Sequence, residues 1–217
     1  MNAVAGRVIV ITGAGSGLGR AMARVLGAAG ASMVLLGRDV TKLRAVAEEL
    51  GEDAWPIACD VADGEAVDQV FSEIAARFGR IDVLINNAGV FQPFLVSEAS
   101  AADVRTIIDT NLAGPVHCTR AAARLLANGG HVINIGSETT VEPVAMLALY
   151  QTSKAGLERF SRSLGQELAA QGTRVTMIRA GKMYEPGMAL PFDAETACRF
   201  AEANRAIGVD TTRAPIS

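Results

Sequence analysis

A chain of 217 residues, half of them hydrophobic, can bury one sizeable core, and a single domain over residues 1–217 is expected. Twenty Lys and Arg against 23 Asp and Glu leave a net charge of −3 with no basic stripe, which argues against a nucleic-acid partner; the longest apolar stretch, 144–150, is too short to cross a bilayer. Cys59, Cys118 and Cys198 are odd in number, far apart and free of any Cys-x-x-Cys, so a reduced, cytoplasmic setting is expected over a disulfide framework.

Residues 8–11 are hydrophobic and run straight into a Thr-Gly turn, so they read as a strand rather than a signal peptide. Thr12-Gly13-x-Gly15-x-Gly17-x-Gly19 follows and opens a helix in which Leu18, Met22, Val25 and Ala29 recur at helical spacing. Glycines let a backbone turn sharply and approach a pyrophosphate, whose charge then meets the helix N-terminus. The spacing departs from plain GxGxxG, and it is the strand–loop–helix context that predicts dinucleotide binding, with Gly13, Gly15, Ser16, Gly17, Leu18 and Gly19 as its contacts. Further buried strands are expected at 33–36, 57–59, 83–85, 132–135 and 175–178. Amphipathic helices separate them, one carrying Val67, Val70, Phe71 and Ile74. That alternation predicts a Rossmann-type α/β fold, a doubly wound parallel sheet covered on both faces. Pro56 offers the third strand no amide donor and belongs at an edge, as in the order 3-2-1-4-5-6.

Tyr150 and Lys154 lie four residues apart, about 400° of helical rotation, so phenol and ammonium rise from nearly one face. An ammonium beside a phenol favours the phenolate and lowers its pKa towards working pH. Such a pair suits an acid/base that moves a proton to or from an oxygen while hydride moves.

Together, TGAGSGLG (12–19), Asp60-Val61, Asn86-Asn87-Ala88-Gly89, Asn111 and the Ser137/Tyr150/Lys154 set resemble the short-chain dehydrogenase/reductase family, over roughly residues 5–182. The resemblance implies that Asp60 bonds the adenine amino group, Val61 flanks the ring, and Asn87, Ala88 and Gly89 line the adenine ribose. It makes Tyr150 the general acid/base between a secondary alcohol and a ketone or aldehyde, and has Lys154 lower its pKa and bond the nicotinamide ribose. Ser137 would donate to the substrate oxygen, and Asn111, on a long helix, would hold a water linking Lys154 to solvent. At the tip of the second strand Gly37 stands where NAD-binding members carry an acid, and Arg38 follows. A guanidinium fits a 2′-phosphate, so NADP(H) is favoured and NAD(H) is possible; Asp39 beside it could blunt the charge, and Ser16 is not a second base. Family members pair through the helices carrying Asn111 and Tyr150, which implies a homodimer or homotetramer.

Two departures stand out. After the sixth strand the family shows Pro-Gly, a hydrophobic residue and Thr; here Gly181 and Met183 fit as cofactor contacts, but Ala180 and Glu185 replace Pro and Thr. Region 182–217 reads as a shortened substrate-covering segment, with 195–207 helical, and without the family's last strand. Either the sheet edge is exposed or covered by a partner, or the chain is a fragment. Phe91, Phe94, Val141, Met146, Met183, Tyr184 and Met188 are the candidate pocket lining, or core. Glu138, Glu142 and Glu185 fall in loops that rim it or are merely solvated. His117 and His131 share no metal-ligand spacing, so no metal is expected, and Ser137 lacks the Gly-x-Ser-x-Gly of a serine hydrolase. The rival class is a nucleotide-binding sensor or assembly protein without catalysis.

Overall fold

The computed structural model describes residues 3–181 and 193–205. Six strands, β1 (Val8–Thr12), β2 (Ser32–Gly37), β3 (Ala54–Ala58), β4 (Ile81–Asn86), β5 (Leu126–Ser137) and β6 (Arg174–Ala180), form one parallel sheet in the order β3-β2-β1-β4-β5-β6. β1 is central and wholly buried, with Val10 level with Val34 on one side and Leu84 on the other. Because strand side chains alternate, Val8 and Val10 enter a different core from Ile9 and Ile11. The first core is closed by α3 (Gly64–Phe78), α5 (Gly114–Ala122) and α6 (Ala148–Leu168), the second by α1 (Gly17–Ala28) and α2 (Val40–Leu50). Among the described residues no helix is long and apolar enough to cross a membrane.

The edge position that Pro56 implies is observed, since β3 pairs only with β2 and Pro56 lies opposite Leu35. The strand itself is displaced from 57–59 to Ala54–Ala58. Asp60 accounts for its end: its Oδ1 accepts from the Ala62 amide at 3.0 Å and starts a turn, while Trp55 is drawn in against Phe78, ring centroids 6.0 Å apart. In α1, Val25 is 69 % exposed rather than inward-facing; Leu26, one residue on, packs against the second core with Leu18 and Met22. β5 begins six residues before its apolar run. Ile81 pairs with Leu126 and Val83 with His131, so the extra residues loop out around Gly129 at φ 83°.

The long helix expected around Asn111 is broken. α4 (Ala101–Ile108) passes into a π-turn, Asp109–Ala113, before α5 begins. In an α-helix residue 115 would donate to the carbonyl of residue 111, and Pro115 has no N–H to give. α7 (Ala194–Arg205) begins one residue before the stretch expected to be helical, 195–207, and overlaps it to Arg205. The expectations for Met183, Tyr184, Glu185 and Met188, and for a missing last strand, lie outside the described residues.

Candidate active site

The C-terminal ends of β1 and β4 diverge where the strand order reverses, the place at which open parallel sheets bind ligands. Gly13 and Gly17 adopt left-handed φ values of 67° and 50°, folding the loop back over β1. Gly19 then lies against Gly13; a Cβ there would stand 2.2 Å from the Gly13 carbonyl oxygen. β4 is tied to the same loop. Thr12 Oγ1 accepts from the amides of Asn87 (3.0 Å) and Ala88 (2.9 Å), and Asn87 Nδ2 donates to Thr12 O at 2.9 Å. The N-cap of α1, Ser16, makes no side-chain capping bond, so its hydroxyl leaves the first-turn amides to an anion.

One cleft is lined by Gly13, Gly15, Ser16, Arg38, Asp60, Val61, Ala88 and Gly89, eight of the residues the sequence singles out for the cofactor. Gly19 and Asn87 sit beneath as buttresses, and Leu18 turns into the core. The sequence reading missed Lys42, which also lines the cleft and whose Cβ lies 3.1 Å from the place a Cβ on Gly15 would occupy. Its place four residues after Arg38, in the first turn of α2, was the available signal. Asp39, in contrast, spends its carboxylate on α2, accepting from the Thr41 and Lys42 amides at 3.1 and 3.2 Å. The Lys42 amide holds that carboxyl below its usual range, with desolvation opposing and the Lys42 charge 3.5 Å away assisting.

β5 ends at Ser137, and the first turn of α6 carries Tyr150. Ser137 Oγ accepts from the Thr139 amide at 3.2 Å and lies 2.8 Å from Thr139 Oγ1, and the Tyr150 phenol is near enough for Ser137 to draw its pKa down. Phe91 meets the Tyr150 ring edge-on, centroids 5.0 Å apart, and fixes its plane. Gln151 secures the intervening loop, donating to the carbonyls of Thr139 and Glu142 and accepting from the Val144 amide. Lys154 is 5 % exposed; its Nζ donates to Ile135 O at 2.9 Å and lies 3.5 Å from where a Gly89 Cβ would stand.

The electrostatics differ from the sequence expectation. Burial pushes the Tyr150 phenol above its ordinary pKa, with the Ser137 hydrogen bond pulling the other way, and burial brings Lys154 down to about 8. The ammonium is directed at the Ile135 carbonyl, so it does not depress the phenol's pKa in this structure. Asn111 also differs. It is fully buried, its Oδ1 accepts from Val90 N (2.7 Å), and its Nδ2 donates to Val90 O (2.9 Å) and Ser153 Oγ (3.1 Å). Ser153 Oγ donates on to Tyr150 O at 2.7 Å. The Asn111 side chain therefore joins the π-turn to the Tyr150 helix, with both Nδ2 hydrogens already used.

The remaining candidates stand apart. Gly181, exposed just past β6, faces Glu138, whose Oε2 would be 2.9 Å from a Cβ added there. His117 Nδ1 lies 3.2 Å from Val61 O, and His131 Nε2 lies 2.7 Å from Thr176 Oγ1. Among the described residues no group of three His, Cys, Asp or Glu side chains could hold a metal. Cys59 and Cys118 are free and buried, and burial raises both thiols, Cys59 to about 11.

The short chain dehydrogenase family model matches residues 7–195, and the chain belongs to that family. Carbonyl reductase family member 4 of Danio rerio is 35% identical over 180 residues, 82% of this chain and 76% of that protein. The crystal structure of a metagenomic short-chain oxidoreductase in complex with NADP is similar at 39% identity and a TM-score of 0.78, over 82% of this chain and 84% of the other. A 3-ketoacyl-(acyl-carrier-protein) reductase from Brucella melitensis, complexed with NADH, is similar at 30% identity and TM-score 0.78, over 82% and 76%. The chain is thus an oxidoreductase of the short-chain family with a nucleotide cofactor.

Proposed function

We propose that the protein interconverts a ketone or aldehyde and the corresponding secondary alcohol, with NADP(H) favoured over NAD(H). The observation that carries this reading is that Tyr150, which interacts with Ser137, shares α6 with buried Lys154, whose Nζ reaches Gly89 on the lining of the glycine-rich cleft.

The cleft fits a dinucleotide. Gly15 keeps its floor low enough for a backbone approach, the α1 N-terminus meets the pyrophosphate, and Asp60 and Val61 take the adenine. Ala88 and Gly89 line the ribose side, with Gly181 and Met183 assigned to the nicotinamide end. When bound, the dinucleotide supplies or accepts the hydride. The chain's own residues do the rest. Ser137 donates to the substrate oxygen and holds it beside the phenol, and Tyr150 gives that oxygen its proton in reduction and removes it in oxidation. Lys154 brings a positive charge beside Gly89 and the ribose, and Asn111 and Ser153 hold the helix that carries both. A reduced cytoplasmic setting and a homo-oligomeric state belong to the same proposal.

Because burial keeps the phenol neutral past its usual range, it is a ready acid at neutral pH and a base only in alkali. Alcohol oxidation should therefore climb with pH to beyond about 10, while carbonyl reduction runs at neutrality. Lys154 titrates near 8, so kcat/KM for reduction should fall above that pH as the ammonium loses its proton. A flat reduction profile between about pH 7 and 9 would remove the Lys154 charge from the reading.

Arg38 should set the cofactor preference, since its neighbour Asp39 is committed to α2. Calorimetry should find NADPH bound at least about tenfold more tightly than NADH, and Arg38→Ala should erase that difference while leaving NADH affinity unchanged. Stronger NADH binding by the unaltered protein would overturn this assignment. Tight NADPH binding without turnover across a broad carbonyl panel would favour the sensor instead.

A further inference from the structure

Met146 is the one non-glycine residue with a left-handed backbone among those described, at φ 65°, and it is buried. Side chains adopt that region at a cost and persist there only where the surroundings over-determine the conformation. Here the peptide planes on both sides of Met146 are held from outside. Ahead of it, the Ala145 amide donates to Asn204 Oδ1 at 2.9 Å and the Ala145 carbonyl accepts from Asn204 Nδ2 at 3.3 Å. Behind it, the Met146 carbonyl accepts from Phe94 N at 2.9 Å. The Ala145 carbonyl belongs to the peptide whose tilt defines the Met146 φ angle, so the Asn204 carboxamide acts directly on that torsion. Leu147, next in the chain, is the N-cap of α6, and Tyr150 follows in its first turn.

Asn204 sits near the end of α7 and is fully buried; its Nδ2 also donates to Phe200 O at 2.8 Å. A second tie, Arg199 NH2 to both carboxylate oxygens of Glu98 at 2.7 Å, fixes α7 to the loop after β4. We propose that Asn204 is a positioning residue for Tyr150, its carboxamide acting through the left-handed turn at Met146 to set the start of the catalytic helix. This rests on the reading of Tyr150 as the acid/base. Only a side chain with both a donor and an acceptor in one plane can replace a strand partner for Ala145, and Asn supplies both at the shortest reach.

The test is a double-mutant cycle between Asn204→Ala and Met146→Gly, with Arg199→Ala as the control that loosens α7 without touching Ala145. Glycine adopts positive φ freely, so it relieves the turn of its need for an external clamp. Asn204→Ala should lower kcat for carbonyl reduction about tenfold with little change in KM, and should lower it less than about threefold in the Met146→Gly background. Amide hydrogen exchange at Ala145 should accelerate in Asn204→Ala and not in Arg199→Ala. An equal loss in both backgrounds, or the same loss in Arg199→Ala, makes Asn204 a mere anchor for α7 and overturns the proposal. So does unchanged kcat with unchanged exchange. Should Asn204→Ala not fold, Asn204→Asp, which keeps the acceptor for Ala145 N and loses the donor, replaces it in the same cycle. If the unaltered protein reduces no carbonyl compound, it is the acid/base reading that fails, and the exchange measurement still decides whether Asn204 holds the turn.

Discussion

Tyr150→Phe should abolish carbonyl reduction, with kcat falling about a thousandfold, while NADPH binding measured by calorimetry stays within about twofold of the unaltered protein. The substitution removes one oxygen and nothing else that the structure uses. The ring keeps its edge contact with Phe91, and the carbonyl of residue 150 still accepts from Ser153. Lys154 keeps its bond to Ile135, and its Nζ stays beside Gly89. The lost group is the proton source, and the substrate oxygen is left with only the Ser137 hydroxyl. Ser137→Ala should be milder, about ten- to a hundredfold, because the phenol survives and loses only the neighbour that draws its pKa down. Activity retained in Tyr150→Phe would move the acid/base role to another group, and a parallel loss of NADPH affinity would show the phenol to be structural.

What the sequence could disclose of this site follows from the range of each signal. The position of β3 was readable because Pro56 lacks an amide and only an edge strand tolerates that. The glycine loop was readable because it works within a few residues; the four-residue spacing of Tyr150 and Lys154 puts both on α6 but does not aim the ammonium, which bonds Ile135 O. Lys42 is as local, four residues beyond Arg38, but shares no motif with it. The π-turn leaves no mark on apolar periodicity; only the missing amide of Pro115 betrays it, and only once residue 111 is known to matter. The state of Lys154 was out of reach for a different reason. Its depressed pKa and the elevated one of Tyr150 come from burial, which depends on Ile135, Gly89 and Phe91 arriving from three other segments. Asn204 lies 59 residues from Ala145, too far along the chain for any local spacing to join them.

The second large effect concerns the glycines, which are equivalent by motif and unequal by surroundings. Gly19→Ala should lower stability by about 3 kcal/mol or more and weaken NADPH binding at least about a hundredfold. Its φ is ordinary, so the cost is steric: the new methyl would stand 2.2 Å from Gly13 O and 2.6 Å from Asn87 Nδ2. Both are parts of the framework that ties β1 to β4, and a backbone oxygen cannot swing aside as a side-chain tip can. Either the Asn87 bond to Thr12 O breaks or α1 lifts from the loop, and each outcome displaces the amides that would meet a pyrophosphate. Gly17→Ala tests the contrary case. Gly17 has φ 50° and open space around its Cβ position, so the change should cost only about 1 kcal/mol of backbone strain. Gly13→Ala combines a φ of 67° with atoms of Ala88 and Asn87 at 3.0 Å and should fall between the two. Thermal unfolding and calorimetry on the three variants give the order directly. Gly19→Ala tolerated as well as Gly17→Ala would mean that α1 does not pack this closely on the loop, and the cleft would lose its claim to a pyrophosphate.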